Sequence, residues 1–347
     1  MKKAFRDAYN NELGLLKERA REFAEEYPGL ADSLGGLVEG NLDPTVSGLL
    51  EGSAFLAARV QLKMEEQYRV FTNELLDQIF PDALAPTPSV MLVRATIPYD
   101  NPLLDSGLMF SPGDYLDARY TEGDKRVSCR FSLTALHISQ INYFGDKAKV
   151  GSHVGEIAEG TQAGLVIDLQ RVGADGQPDD SAVIQTLEQD TMTFHLTGPM
   201  DEAVALYEQI FCNLKRVTLR SFNAQGDPIY QRLPLEAVDQ IGFEEDEQLF
   251  PHSKRLFSGF ARLREFFVFP RKFLGFKISG LAQRMRHVHG SNMQLIFEFN
   301  TAQQKLTSRL ETEHLMLNAA PVVNLFEEIT RPVRLDKKLH EYIVSPS

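Results

Sequence analysis

Cysteine is scarce in this chain, and positively charged residues are fewer than negatively charged ones. Cys129 and Cys212 are the only cysteines among 347 residues, too few for a disulfide framework or a cysteine-based zinc cluster. They favour a reducing compartment, and we predict that both are small buried residues. The formal net charge of −12 argues against a general nucleic-acid-binding protein, because such binding depends on lysines and arginines that neutralise phosphates.

Long apolar runs are also missing. No stretch approaches the roughly eighteen consecutive apolar residues that a membrane-spanning helix needs. Residues 1–30 are charged and amphipathic and do not contain the apolar core of a signal peptide. We therefore expect the chain to stay inside the cell, with no direct insertion into a membrane.

Familiar catalytic motifs do not occur. The sequence has no G-x-S-x-G, no P-loop, no G-x-G-x-x-G and no H-E-x-x-H. His287 and His289 would share one face of a strand, as metal ligands do, but their surroundings favour a polar turn. The carboxylates of Asp179, Asp180 and Glu244–Asp246 lie in polar loop sequence without a partnered base. We predict no catalytic residue, no cofactor and no metal.

The sequence opens with helical patterns. Residues 2–27 carry apolar and aromatic side chains at spacings of three and four, which predicts one apolar stripe. Asp43-Pro44 is a strong start for a second helix, and a third is predicted over about residues 69–80. Helices with such wide apolar faces need either one another or a partner chain. The candidate partner-binding residues here are Phe5, Tyr9, Leu13, Leu16, Phe23, Tyr27, Leu49 and Phe55.

Strand patterns dominate after a proline-rich linker at Pro81, Pro86 and Pro88. The turn clusters between them indicate an antiparallel sheet or sandwich, with one helix over residues 200–213. We predict an α+β protein, an N-terminal helical bundle followed by antiparallel β-rich domains with a few helices. The predicted domains are 1–85 (helical), 86–235 (β-rich) and 236–347 (mixed α/β). The predicted strands are 89–97, 107–111, 126–133, 135–142, 163–171, 191–197, 216–221, 228–232 and 292–300.

Residues 259–281 are rich in phenylalanine and in positive charge. Helical spacing relates Phe260, Leu263, Phe266 and Phe267, and Pro270 must end that helix. The alternation that follows predicts a strand. We predict that Phe266, Phe267, Phe269 and Phe273 are buried in the core. Arg271 and Lys272 are predicted to lie on the surface, either solvated or as partner-binding residues for an acidic neighbour.

Four ordered segments resemble the TssF family of the bacterial type VI secretion system. The first two are FRDAYNNELGLLKERAREFAEEYPGLADSL (5–34) and DPTVSGLLEGSAFLAARVQLKMEE with its continuation to residue 90. The third lies in 241–274 and includes FSGFARLREFFVFPRKFL. The fourth is PVVNLFEEITRPVRLDKKLHEYIV (321–344).

The resemblance implies a structural, non-catalytic protein. Proteins of this family form wedges of a cytoplasmic baseplate with TssG, TssE and TssK, and a contractile sheath and inner tube grow from that baseplate. In this family two TssF copies associate with one TssG, so we expect self-association. We also expect the baseplate, and this chain with it, to lie near the inner membrane. The family's members are considerably longer, so we expect this chain to be the N-terminal portion of a longer protein. The alternatives are a wedge protein of a phage-derived contractile tail and a cytosolic enzyme with a β-sandwich domain.

Overall fold

A computed structural model shows two compact units, Met1–Pro86 and Thr87–Ser347. Helices make up the first unit, and antiparallel sheets with a few helices make up the second, which confirms the predicted fold class. Within the residues described, no helix combines the length and the apolar character needed to cross a membrane. The structure describes residues 3–33, 43–95, 101–110, 114–120, 123–129, 132–173, 175–179, 181–223, 225–252, 255–325, 329–334, 342 and 344.

The first unit consists of α1 (Lys3–Glu26), α2 (Pro28–Ser33) and α3 (Pro44–Ile79). Asp43 caps α3 as predicted, because its Oδ1 accepts a hydrogen bond of 2.7 Å from the Thr45 amide. The prediction of a separate helix over 69–80 is wrong, since α3 continues to Ile79 without a break. Residues 65–69 contain neither proline nor glycine, so nothing in the sequence ends the helix before Pro81.

A narrow contact joins α1 to α3. Ala54 and Ala58 of α3 are completely buried, and the rings of Phe5 and Phe55 meet edge to face with centroids 5.2 Å apart. Short alanine side chains let two helix backbones approach closely, so the contact uses little of the apolar surface of α3.

The second unit is built mainly of short strands. Most of the predicted strands are present within one to three residues of their predicted ends, while Asp114–Tyr120 was not predicted. Its helices are α4 (Lys147–Gly151), α5 (Met200–Cys212), α6 (Ser258–Val268) and α7 (Ala282–Met285). Its strands are β1 (Val90–Arg94), β2 (Leu108–Met109), β3 (Asp114–Tyr120), β4 (Gly123–Cys129), β5 (Ser132–Leu133), β6 (Leu136–Phe144), β7 (Ala163–Arg171), β8 (Met192–Leu196), β9 (Leu214–Phe222), β10 (Pro228–Leu233), β11 (Val238–Gln240), β12 (Gly275–Ile278), β13 (Asn292–Phe299), β14 (Leu315–Met316) and β15 (Ala319–Val323).

These strands form antiparallel sheets. The largest has the order β10-β9-β13-β7-β6, a second has the order β11-β12-β8-β14, and a third has the order β1-β15-β4-β3. The short pair β2 and β5 is separate. In the largest sheet β13 pairs with β7 on one side and β9 on the other, which explains why its middle residues are fully buried.

Aromatic side chains connect the first two sheets. Phe276 of β12 stacks on Phe194 of β8 at 4.9 Å between ring centroids and meets Phe297 of β13 edge to face at 5.6 Å. All three are completely buried in one apolar cluster. The core therefore lies between the sheets, and β12 is firmly held in it. That position matters because β12 directly follows α6 and its proline turn.

Cys212 is exposed, contrary to prediction, because it is the last residue of α5 and its side chain faces solvent. The side chain of Cys129 lies outside the described residues. β15 pairs with β1 along its whole length.

Candidate partner-binding surfaces

The α3 helix exposes a long row of large apolar side chains, which we name the α3 stripe. Its members are separated mostly by three or four residues, so they lie along one side of the helix. A helix of 36 residues is about 54 Å long. The α3 stripe consists of Leu49, Leu56, Val60, Met64, Tyr68, Phe71, Leu75 and Ile79, all of them exposed.

The middle of the α3 stripe lies on a different side of α3 from the contact with α1. At 3.6 residues per turn, Ala54 and Ala58 fall on a different side of α3 from Val60 and Met64. Because the alanine side packs against α1, the side with the larger residues is left uncovered within this unit. The helix therefore has two apolar faces, a small one used internally and a large one exposed.

Of the partner-binding residues predicted in the helices, some lie at the contact between α1 and α3 and others are exposed. Phe5 and Phe55 contact each other, although Phe55 is still partly exposed. Leu49 belongs to the α3 stripe. On α1, the residues Tyr9, Leu13 and Leu16 are half-buried, and Phe23 and Tyr27 are exposed with ring centroids 5.3 Å apart.

A second apolar surface lies on α6. The helix is present where predicted and ends before Pro270, but the prediction that Phe266 and Phe267 are buried is wrong. Phe267 is 77% exposed, and Phe260, Leu263 and Phe266 are exposed as well. The row of apolar residues that the spacing identified is thus the outer face of the helix.

A buried ion pair explains this orientation. Glu265 and Lys272 are 0% and 1% exposed, and the Lys272 ammonium donates to Oε2 of Glu265. Oε1 of Glu265 accepts hydrogen bonds from the amides of Leu249 and Phe250, at 2.7 and 3.0 Å. Both carboxylate oxygens are therefore satisfied, as a buried charge requires. Since Phe267 lies nearly opposite Glu265 on the helix, it must point outward when the carboxylate points in.

The residues after α6 also differ from prediction. The 3-10 turn Pro270–Phe273 directs both Lys272 and Phe273 inward, so Phe273 is buried as predicted whereas Lys272 does not lie on the surface. Lysine is rarely buried unless paired, and its partner Glu265 was not recognisable as such from the sequence. Arg271 is half-buried, and its Nη1 donates to the carbonyl of Gly198 at 2.9 Å. Phe269 is half-buried.

The remaining polar candidates have local structural roles. His287 and His289 lie in the turn after α7, and Nδ1 of His289 is 2.9 Å from Oε1 of Gln185. In the part of the chain that the structure describes, no three histidine, cysteine or carboxylate side chains are grouped to hold a metal. Asp179 accepts from the amide and hydroxyl of Ser181, which lowers the pKa of its carboxyl. Its neighbour Asp180 lies outside the described residues.

The acidic cluster at 244–246 forms a tight turn. Glu244 and Glu247 make a reciprocal capping box around the 3-10 helix Glu245–Glu247. Glu247 also accepts a hydrogen bond of 2.7 Å from the Gly242 amide. These contacts of Glu244 and Glu247 stabilise the backbone of the turn.

Two exposed apolar helix surfaces on one α+β chain are typical of a subunit that works within a larger assembly. The family model described as "Type VI secretion system, TssF" matches residues 1–347, and the chain belongs to that family. This confirms the resemblance found in the sequence and favours it over a wedge protein from outside type VI secretion.

One relative and one solved structure agree with this assignment. The chain is 34% identical over 342 residues to the type VI secretion system component TssF1 of Pseudomonas aeruginosa, covering 97% of this chain and 54% of that protein. It is also similar in fold to a chain of the TssK-TssF-TssG baseplate subcomplex determined by cryo-electron microscopy. That match has a TM-score of 0.63 at 20% identity and covers 87% of this chain and 53% of the other. The chain thus spans about half the length of these relatives.

Proposed function

We propose that this chain is a structural part of a type VI secretion baseplate wedge and that it binds TssG through the α3 stripe. Membership of the TssF family supports the place in the baseplate, and the similar solved complex contains TssG and TssK. TssK is a further proposed partner, since it is part of the similar solved complex. We also propose TssE as a partner and a role in assembly of the sheath and tube, which rest on the resemblance to the family alone. The chain acts as a scaffold, without catalysis, in the cytoplasm near the inner membrane.

The α3 stripe is the observation that carries this proposal. Burying an aliphatic or aromatic side chain of this size contributes about 1.5–3 kcal/mol relative to leaving it in water. Eight such residues in one row are therefore a large unused source of binding free energy. Spacings of three and four residues match the packing of one helix against another, so the expected occupant is a partner helix. We also propose that two copies of the chain bind one TssG.

Paired substitutions on α3 test the proposal. We expect Phe71→Glu with Leu75→Glu to abolish co-purification of the full-length protein with TssG, because two charges would face the partner's apolar surface. The matched control places the same side chains on the opposite side of α3, as Arg69→Glu with Asn73→Glu. Both double variants should melt like the wild type, since all four positions are exposed.

Two results would contradict the proposal. If the stripe variant retains TssG as well as the wild type does, the α3 stripe is not the TssG contact. If the control variant loses TssG to the same degree, the binding responds to charge on α3 in general and the stripe has no special role.

A further inference from the structure

The exposed face of α6 forms a compact aromatic patch, which we name the α6 surface. It lies on the second unit and shares no residue with the α3 stripe. The rings of Phe266 and Phe267 meet edge to face with centroids 5.9 Å apart, and those of Phe257 and Phe260 do the same at 5.9 Å. The α6 surface consists of Phe257, Phe260, Leu263, Phe266 and Phe267, all of them exposed.

The fold holds this surface outward. Turning α6 about its axis to bury the phenylalanines would expose Glu265 and separate it from Lys272 and from the Leu249 and Phe250 amides. Breaking a buried ion pair in that way is strongly unfavourable. The aromatic face is therefore a fixed feature of the folded unit and not a core that failed to close.

Positive charge borders the α6 surface on both sides. Arg262 precedes Phe266 by four residues, and Arg264 follows Phe260 by four and precedes Phe267 by three, so helical spacing places an arginine along each edge. The guanidinium of Arg264 lies 5.1 Å from the ring centroid of Phe250. Glu265, the one acidic residue of α6, is buried and neutralised by Lys272. The exposed side of the helix is thus apolar, and a half-buried arginine lies along each of its edges.

We propose that the α6 surface docks an acidic amphipathic helix of a partner protein in the baseplate. The anchors on α6 have helical spacing over about three turns, which suits an apolar stripe on a second helix. Carboxylates on both sides of that stripe would meet Arg262 and Arg264. The same surface of a second copy is a poorer fit, because it would bring these arginines against their own kind. The inference rests on the proposed function for the kind of partner, but it concerns a different surface.

Photo-crosslinking in the assembled baseplate tests the occupant. The full-length protein would carry p-benzoyl-phenylalanine in place of Leu263, or of Leu235 as the control, both exposed in the second unit. We expect the probe at 263, and not at 235, to crosslink to a helical segment of another baseplate protein that contains several Asp or Glu residues. Crosslinks only within this chain, only to a second copy, or to a segment without acidic residues would overturn the proposal, as would none.

Substitutions then test the energetics. We expect Phe267→Ser to weaken binding of the crosslinked partner by about tenfold or more, as loss of a central aromatic anchor does. Arg262→Glu should weaken it too and reduce its dependence on salt, since Arg264 alone then faces the acidic partner, whereas Leu235→Ser should have no effect. Unchanged melting of Phe267→Ser shows that the loss is not unfolding.

These experiments separate the two proposals. If TssG still binds through the α3 stripe while Phe267→Ser weakens no partner, the α6 inference is wrong and the proposed function stands. If the wild-type chain binds no baseplate subunit at all, both are wrong.

Discussion

At the scale of single residues, the most informative position is Lys272. A lysine next to an arginine after a helix would ordinarily be solvated, yet here its ammonium is completely buried against Glu265. Removing one member of such a pair leaves the other as an uncompensated charge inside the protein. The pair thus holds α6 in its orientation and stabilises the second unit.

We predict that Lys272→Met lowers the free energy of unfolding by about 3–5 kcal/mol, because it leaves the Glu265 carboxylate buried and unpaired. Arg271→Met, at the half-buried neighbouring position, should cost clearly less. Adding Glu265→Gln to Lys272→Met should restore much of the loss, since the amide oxygen still accepts from Leu249 and Phe250 without a charge. Denaturant unfolding of the three variants measures this. Equal midpoints for Lys272→Met and Arg271→Met would show that the pair does not matter.

A second prediction concerns the buried imidazole of His195 in β8. Burial lowers the pKa of His195 to about 4, and a hydrogen bond to the backbone of Ala319 opposes the shift. The unfolded chain takes up this proton below about pH 6.5, whereas the folded chain takes it up only below about 4. Stability should therefore fall as the pH drops from 6.5 to 4, by up to about 3 kcal/mol from this group.

The variant His195→Gln isolates that effect, because it removes the titration and leaves all carboxylates unchanged. Melting curves at several pH values should show a weaker dependence on pH between 6.5 and 4 for the variant than for the wild type. Parallel curves over that interval would mean that His195 is protonated equally in the folded and unfolded chains.

At the scale of elements, the continuity of α3 is the main departure from the predicted secondary structure. The predicted break between a helix from residue 44 and another over 69–80 is bridged by Glu65, Glu66 and Gln67, which are good helix formers. A continuous helix keeps all members of the α3 stripe on one element, whereas a break would let its two halves point in different directions.

We predict that Glu66→Pro divides α3 near its middle and abolishes TssG binding, because proline removes a backbone donor and collides with the preceding turn. The local cost is about 3 kcal/mol. Far-ultraviolet circular dichroism should show less helix, while Glu66→Ala should keep both the helix and the binding. Full TssG binding by the proline variant would show that the two halves of the stripe act separately.

At the scale of the whole molecule, the two units differ in how they are stabilised. The buried aromatic and aliphatic core connects the sheets of the second unit. In the first unit, the described buried apolar residues are alanines, Ala24, Ala31, Ala54 and Ala58. Burial of apolar area is the main favourable term in folding. The two units, each taken by itself, should therefore differ strongly in stability.

We therefore predict that residues 87–347 fold by themselves with a cooperative thermal transition. Residues 1–86 alone should be only partly helical, because most of the stability of a helix in a protein comes from packing of its apolar face, and these helices bury little against each other. Addition of TssG should increase their helicity. Circular dichroism of the two fragments checks this, and a non-cooperative melt of 87–347 would show that its core depends on the first unit.

Local sequence was sufficient for much of this protein. The residues of β7 and β13 could be located because their apolar runs are bounded by turn residues, and α3 begins at Asp43-Pro44 because those residues cap helices. The row of apolar residues on α6 and its end at Pro270 followed from spacing and from the chemistry of proline. The resemblance to the TssF family was also visible in four segments of the sequence alone.

Only the tertiary structure decided which side of α6 is inside. An apolar row predicts a buried face because most helices bury such a row against their own chain. On α6 that preference is overridden by Glu265, which binds backbone amides sixteen and fifteen residues earlier and Lys272 seven residues later. The α3 stripe is exposed for a related reason, since α1 packs on the alanine side instead. Periodicity determines which residues share a face, but the direction of that face depends on contacts between segments that are distant in sequence.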